Sequence, residues 1–344
     1  MKNTSEDYYS DYSAYTDSYD NDTFYRPVTI CINENLDLFV SSYIPPVYFI
    51  LFFLSLFGNT VILVILAKFE KLNSVTNIFI LNLVISDLIF TITFPFTAVS
   101  HLSDWVFGNV MCKLTVACFF TGFQSFVIFI TLMTIDQYLT IVHSWSATSR
   151  LMVRYAKCIS IFAWSASIMF SIPDIVIYTT TSNNSEDTEC SVSSEGHTRW
   201  WLILGHYKYF VVFFLLPLLI VIFCYAGIVL KITTCNIRSR DRVLKLIFFI
   251  VLFYFICWSP YNILMFLMFL EKTESFKDCN SILHYVFYVC QTIIYFHCSI
   301  NPLLYAVLGT KFRRHLSCSW VHCNQRRINQ QQDFSLRTSL EHGL

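Results

Sequence analysis

Charge is what this chain has least of. Only 13% of its 344 residues are charged, while 55% are hydrophobic. Soluble domains carry roughly a quarter charged residues, so a soluble fold of this composition would lack the polar surface to cover itself. Glycine is also scarce, with eight scattered along the chain. No glycine-rich phosphate loop, P-loop or HExxH pair occurs, which removes the usual sequence signs of a nucleotide-dependent or zinc enzyme. No apolar leader opens the chain: residues 1–42 are polar and acidic, so no signal peptide is expected and the first apolar segment directs insertion. Internal repeats, a linker and a second soluble domain are all lacking. No cofactor, metal or nucleic-acid partner is expected, and an enzyme is not.

What the chain has instead is long apolar runs. Spanning a bilayer takes roughly 20 residues of helix. Runs of that kind lie near Tyr43–Ala67, Thr76–Ser100, Met111–Val142, Ala156–Tyr178, Trp201–Leu230, Val243–Leu270 and Ser281–Leu308. Backbone exposed to lipid must be satisfied internally, so these are helices rather than open strands. They are too evenly apolar for the alternating strands of a membrane barrel. The expected fold is an all-α membrane protein: an extracellular tail over 1–42, a seven-helix bundle over 43–308, and a short amphipathic helix with a cytoplasmic tail over 309–344.

Orientation follows from the basic residues. Sixteen, from Lys68 and Lys71 to Arg326, Arg327 and Arg337, fall on one side, and five on the other (Lys2, Arg26, Arg199, Lys272 and Lys277). The positive-inside rule then places the C-terminus in the cytoplasm and the N-terminus outside. Of 13 cysteines, Cys31, Cys112, Cys190 and Cys279 fall in or beside the outer segments. Four cysteines on the oxidising side allow three pairings; one of them joins Cys112 to Cys190 and leaves Cys31 with Cys279. Glycan acceptors Asn3, Asn21 and Asn183 also fall outside.

Few residues in the spans carry chemistry. Asp87 is the one charge taken to lie deep, near the middle of the second run. An ionised carboxylate there is costly and marks a polar switch or a cation site. The plain alternative is a protonated Asp hydrogen-bonded to groups such as Asn59 and Asn301. Pro260 in "CWSPYN" and Pro302 in "NPLLY" remove backbone donors and mark kinks. Trp258 before the first, with Asn301 and Tyr305 around the second, makes these more specific than lone prolines.

From end to end the chain resembles the rhodopsin-like (class A) seven-helix receptors. The matching marks are Gly58-Asn59, Asp87, Cys112, Trp164, Cys190, Pro217 with Tyr225, Trp258-Ser259-Pro260 and Asn301-Pro302-Leu303-Leu304-Tyr305. "GTKFRRHL" is similar to the amphipathic helix that follows the seventh span. Within that group the chain resembles chemokine receptors, by Thr93-Phe94-Pro95, Trp105-Val106-Phe107-Gly108, "TIDQYLTIVH", "HCSINPLLY" and the Cys31/Cys279 pair. "NSVTNIFILNLVISDLIF" and "RVLKLIFFIVLFYFICWSPYN" resemble the lymphotactin (XC-type) receptors most.

The resemblance implies an extracellular chemokine ligand, a heterotrimeric G protein of Gi type, arrestin, and a place in the plasma membrane. It also implies recognition in two parts. Residues 1–42 carry eight acids and two bases, with Tyr8, Tyr9, Tyr12, Tyr15 and Tyr19 set among Asp residues. Such a tail is too polar to bury a core. Its tyrosines are candidates for sulfation, and an anionic tail steers a small basic ligand inward. The pocket expected for the ligand's N-terminus comprises Tyr48, Phe119, Asp174, Tyr261 and Gln291 above Trp258. Asp174 and Glu271 are the candidates for a cationic end.

Four positions depart from the family pattern. Gln291 replaces a common glutamate and Thr97 a common tryptophan. Phe126 stands where relatives have a small residue facing Asp87, so its ring fills space that a sodium ion would need. Gln137 replaces the arginine that pairs with the neighbouring acid, Asp136, at rest and meets the G protein when active. Glutamine offers neither the charge nor the five-donor fork of arginine, so both the resting latch and the G-protein contact are weakened. Tyr138, Tyr225 and Tyr305 are retained on the coupling face, which favours a signalling receptor. The alternative is a decoy that binds and internalises ligand; a transporter or channel is more distant.

Overall fold

The computed structural model describes residues 34–69, 74–143, 149–182, 188–193, 198–235, 241–271 and 281–309. The tail tyrosines, Cys31, Cys279, Asn3, Asn21, Asn183 and the amphipathic helix expected after Gly309 lie outside the described residues.

Seven helical spans are present. The first is α1 (Glu34–Phe69), and the second is broken into α2 (Val75–Thr91) and α3 (Phe94–Ser100). The third and fourth are α4 (Gly108–Val142) and α5 (Ser149–Ile177). A hairpin of β1 (Tyr178–Ser182) and β2 (Thr188–Val192) follows. The fifth span combines α6 (Thr198–Tyr207), a π-helical segment (Lys208–Leu215) and α7 (Leu216–Cys235). The last two are α8 (Asp241–Glu271) and α9 (Ser281–Leu308).

Six of these spans are long and apolar enough by composition to cross a membrane. The remaining one, α9, has the length and no charge, but His284, Gln291, His297 and Asn301 dilute it. Large side chains such as Phe57, Phe162 and Phe223 stand exposed on the outside. On a soluble protein so much apolar surface would be a liability; in lipid it matches the solvent.

The first span starts earlier than the sequence suggested. Residues 34–42 are already helical, and the helix runs on through Pro45 and Pro46. The polar composition of residues 1–42 placed the start near Tyr43, but polar residues are compatible with the first turns of a helix that extends beyond the apolar run. The hairpin was not anticipated, although its "YTTTS" strand is rich in β-branched threonine.

The bundle is organised around α4, which packs against α2, α5 and α7, while α9 packs against α1 and α8. Polar contacts fix these pairs. Ser125 Oγ donates to Ser86 Oγ at 2.8 Å. Asn82 donates to Ser160 at 3.1 Å and accepts from the Trp164 indole at 2.8 Å. Small residues allow close approach, as is usual between membrane helices. At Gly122 a Cβ would lie 2.8 Å from the Phe90 amide nitrogen and 3.0 Å from the Ser86 carbonyl.

Prolines set the bends, and neighbouring helices repair them. Pro217 cannot bond the carbonyl of Phe213 one turn earlier; the Tyr254 hydroxyl on α8 donates to that oxygen at 3.1 Å. Pro302 likewise frees the Cys298 carbonyl, which accepts from Asn59 Nδ2 on α1 at 3.1 Å. Freed carbonyls in hydrocarbon need such donors. In the second span the break at Ile92–Thr93 precedes Pro95, and Thr93 Oγ1 donates to Phe90 O at 2.7 Å.

The outer face is stapled. Cys112 at the start of α4 is bonded to Cys190 in β2, with Cα atoms 5.5 Å apart. Beside it Lys113 Nζ donates to the Ile175 and Tyr178 carbonyls at 2.9 and 3.0 Å, capping the end of α5. Trp105 is buried below the hairpin, its amide donating to Thr188 O at 2.7 Å. Its indole reaches Gly108 O at 2.9 Å across a turn in which Gly108 has φ +73°; L-residues seldom adopt that angle.

Gly122→Ala is expected to force α2 from α4 and cost about 1–3 kcal/mol. Thermal unfolding of the detergent-solubilised protein would fall by several degrees, whereas an unchanged midpoint would contradict the close approach.

Candidate functional site

Towards the outer end of the bundle a cavity of about 130 Å³ opens between α4, α5, the fifth span and α8. Aromatic rings make most of its wall. Phe119, Asp174, Tyr261 and Trp258, all expected pocket residues, line it. Tyr48 and Gln291 do not. Tyr48 is fully buried, its ring 4.5 Å from that of Tyr295 and 6.0 Å from His101. Gln291 is half-buried on α9. Tyr295 lies between Tyr48 and the cavity wall, its ring 6.4 Å from that of Phe119. Glu271 ends α8, and its side chain lies outside the described residues.

Asp174 is not a free acid awaiting a cation. Lys208 Nζ lies 2.6 Å from its Oδ2, and the Tyr209 hydroxyl donates to the same oxygen at 2.5 Å. Lys208 also donates to Phe170 O at 2.9 Å and sits 4.3 Å from the centre of the Tyr209 ring. Side-chain exposures of 12% and 4% make this a buried pair. A ligand cation at Asp174 must therefore compete with a built-in one. Lys208 and Tyr209 begin the π-helical segment. Such i→i+5 turns are rare and concentrate at functional sites. Tyr209 stacks on Phe120 at 5.0 Å.

Two groups just outside the spans titrate unusually. Burial pushes the His101 imidazole down to about 4, so it is neutral at physiological pH. The Tyr178 phenol is pushed up to about 12, by burial first and then by the Asp174 charge.

Below the cavity, Trp258 stacks on Phe123 at 4.1 Å and lies 6.2 Å from Phe90 and 5.9 Å from Tyr254. The ring set leads down to a polar core. Asn301 Nδ2 donates to Asp87 Oδ2 at 2.8 Å, so one of the expected partners is in place. The other, Asn59, bonds Ser55 and the Cys298 carbonyl instead. Phe126 is buried with its ring edge-on to His297 at 4.6 Å.

At the end of α4 far from the disulfide Gln137 is buried, and its Nε2 donates to Asp136 Oδ2 at 3.3 Å. The acid and its neighbour thus bond within α4, a long contact between adjacent residues. Tyr138 packs on His143 and Phe223 at 5.5 and 5.6 Å. A Cβ at Gly227 would meet the Tyr138 ring at 2.5 Å. Tyr225 stands edge-on to Phe248 at 5.3 Å, and Tyr305 is fully buried in α9. Pro260 and Pro302 sit inside helices that continue through them.

Sequence reasoning missed Lys208, Tyr209, Tyr254 and His297. Lys208 carried a usable signal, being a base inside an apolar run. Tyr254 and His297 carried none, because their value lies in what a different helix presents to them.

This arrangement of seven spans, outer disulfide, aromatic cavity and polar core matches a known family. Residues 58–305 fit the model of the 7 transmembrane receptor (rhodopsin family). The chain is also 32% identical over 308 residues to the C-C chemokine receptor type 4 of Homo sapiens, covering 89% of this chain and 84% of that one. The chain belongs to the rhodopsin-like receptors, in the chemokine-receptor branch. Members of this family are membrane receptors rather than enzymes, and the transporter alternative falls away.

Removing one partner of the Asp174–Lys208 pair strands a buried charge, at a cost of about 3–5 kcal/mol. Asp174→Asn and Lys208→Met should each lower the melting temperature. The double variant should recover much of the loss; strictly additive losses would contradict the pairing.

Proposed function

We propose that the protein is a plasma-membrane chemokine receptor with its N-terminus outside, signalling through a heterotrimeric G protein of Gi type and recruiting arrestin. The reading rests on one side chain above all. Trp258 lines the outer cavity and also stacks on the rings above the polar core, so a ligand tip in the cavity touches the element that reaches inward. In this reading the acidic tyrosine-rich tail grips the body of a small basic chemokine, and the cavity takes its N-terminus. The sequence stretches noted above make a lymphotactin-type ligand the first to try.

A second reading is supported by Gln137. Its hydrogen bond keeps Asp136 occupied within α4 without supplying a cation for a G protein. A receptor of that kind binds and internalises ligand with little nucleotide exchange. The two readings are separated by screening basic chemokines with G-protein activation, arrestin recruitment and uptake measured in parallel.

Gln137→Arg is expected to raise ligand-stimulated nucleotide exchange roughly fivefold or more, the lower end of typical coupling between sites. An unchanged response at equal surface expression counts against this role. Replacing Tyr8, Tyr9, Tyr12, Tyr15 and Tyr19 together with Phe is expected to weaken chemokine binding by about tenfold, through loss of the sulfate charges these tyrosines carry when sulfated. Undiminished affinity at physiological salt would remove the tail from the binding site.

A further inference from the structure

The outer cavity has a size and a charge that together select its occupant. Its volume is about 130 Å³. Drug-sized ligands fill pockets of roughly 300–1,000 Å³, whereas an apolar cavity of about 150 Å³ takes a single benzene ring. Rings of Phe119, Phe123, Phe210, Trp258, Tyr261 and Phe266 form much of the wall. Resting on the receptor reading above, we propose that this cavity binds one uncharged aromatic side chain from the ligand's N-terminal segment, and that Lys208 sets this specificity by excluding cations.

The exclusion follows from the partners of the acid on the wall. Asp174 is the one carboxylate among the described lining residues. Its Oδ2 accepts from Lys208 Nζ at 2.6 Å and from the Tyr209 hydroxyl at 2.5 Å. Lys208 is fixed in turn by the Phe170 carbonyl at 2.9 Å, and lies 4.3 Å from the Tyr209 ring centre and 5.9 Å from that of Phe120. An incoming ammonium must displace one that already has a carboxylate, a carbonyl and two rings, or sit beside it against like charge. An incoming carboxylate finds the lysine paired and a second acid next to it. Burying either charge without a partner of its own is costly. A neutral ring meets no such cost and extends contacts already present, such as Phe210 stacked on Phe266 at 4.3 Å and Trp258 edge-on to Tyr261 at 6.3 Å.

A glycine leaves the room for that ring. Trp201, Gly205 and Tyr209 follow one another at four-residue spacing and all line the cavity, which places them on one face of the fifth span. A Cβ at Gly205 would meet nothing within 4 Å, so the space beside it is open. Any larger residue at this position would grow into the cavity. In this arrangement the ligand enters side chain first, and its terminal ammonium stays outside the ring-lined wall.

The test uses the full-length receptor in lipid nanodiscs and four water-soluble probes, the N-acetyl amides of phenylalanine, leucine, lysine and glutamate. The phenylalanine probe is expected to raise the melting temperature saturably at millimolar concentration. The leucine probe should bind more weakly, and the lysine and glutamate probes at least about tenfold more weakly. Gly205→Leu fills the open space and should abolish the phenylalanine shift; replacing a helical glycine does not lower the variant's own melting temperature. Lys208→Met leaves Asp174 without its cation, and the lysine probe should then bind about tenfold tighter than it does to the wild type. The proposal is overturned by a lysine probe that binds the wild type as tightly as phenylalanine, by a phenylalanine shift that survives Gly205→Leu, or by no phenylalanine shift at all. A folded Lys208→Met with no gain for the lysine probe overturns it too; should that variant not fold, the wild-type and Gly205→Leu arms decide. The probes need neither chemokine nor G protein. A chemokine response without probe binding strikes only the ring site, and probe binding without a response to any chemokine strikes only the receptor reading.

Discussion

The structure depends on one constraint: inside hydrocarbon no backbone carbonyl can be left to water. The helices meet it largely by themselves, and at some of their prolines and ends a side chain from another span supplies the missing donor. Tyr254 serves the carbonyl freed by Pro217, and Asn59 the one freed by Pro302. Lys113 serves the last carbonyls of α5, and Lys208 that of Phe170. Each repair joins two spans that otherwise touch through apolar surface. Lipid supplies no hydrophobic force between helices, so such bonds fix which pairs meet and at what register. Bends and contacts are thus one system, because a proline moved out of place would leave its carbonyl and its partner donor both unmet.

The same contacts run between the cavity and the polar core. The cavity is walled by rings, and rings continue from Phe123 through Trp258 to Tyr254, whose hydroxyl bonds the bend of the fifth span. Stacked pairs of this kind contribute about 0.5–1.5 kcal/mol each beyond burial, comparable to a single interhelical hydrogen bond. No link dominates, so pressure on Trp258 can be shared between the sixth and fifth spans. Below, the Asp87–Asn301 bond ties α2 to α9. The Gln137–Asp136 bond, by contrast, stays within one helix and holds no two spans together.

The bundle was legible in the sequence because hydropathy is a one-dimensional property. The seven runs follow from length and hydropathy, whereas Cys112–Cys190 was one of three pairings that position left open and the structure selects it. Asp87, Trp258 and Tyr261 were legible too, since a lone acid or a ring beside a helix-bending proline stands out in an apolar run. Partnership was not legible. Asp174 looked like an open acid because Lys208 lies 34 residues away, and only the fold sets them 2.6 Å apart. Tyr48 looked like a pocket residue, yet its helix turns it towards Tyr295. The early start of α1 was hidden for the opposite reason: polar residues near its beginning resemble a tail until the turn is formed.

The π-helical segment has a consequence for any comparison between this receptor and its relatives. Each i→i+5 turn takes in one residue more than an α-turn, which rotates everything on its outer side by about one position, roughly 100°. A residue count from Pro217 on an ordinary helical wheel would point Lys208 and Tyr209 at the wrong neighbours. Two chains with matched letters above that proline can therefore offer a ligand different faces. Pocket chemistry in the fifth span is transferable only between receptors that share the widened turn.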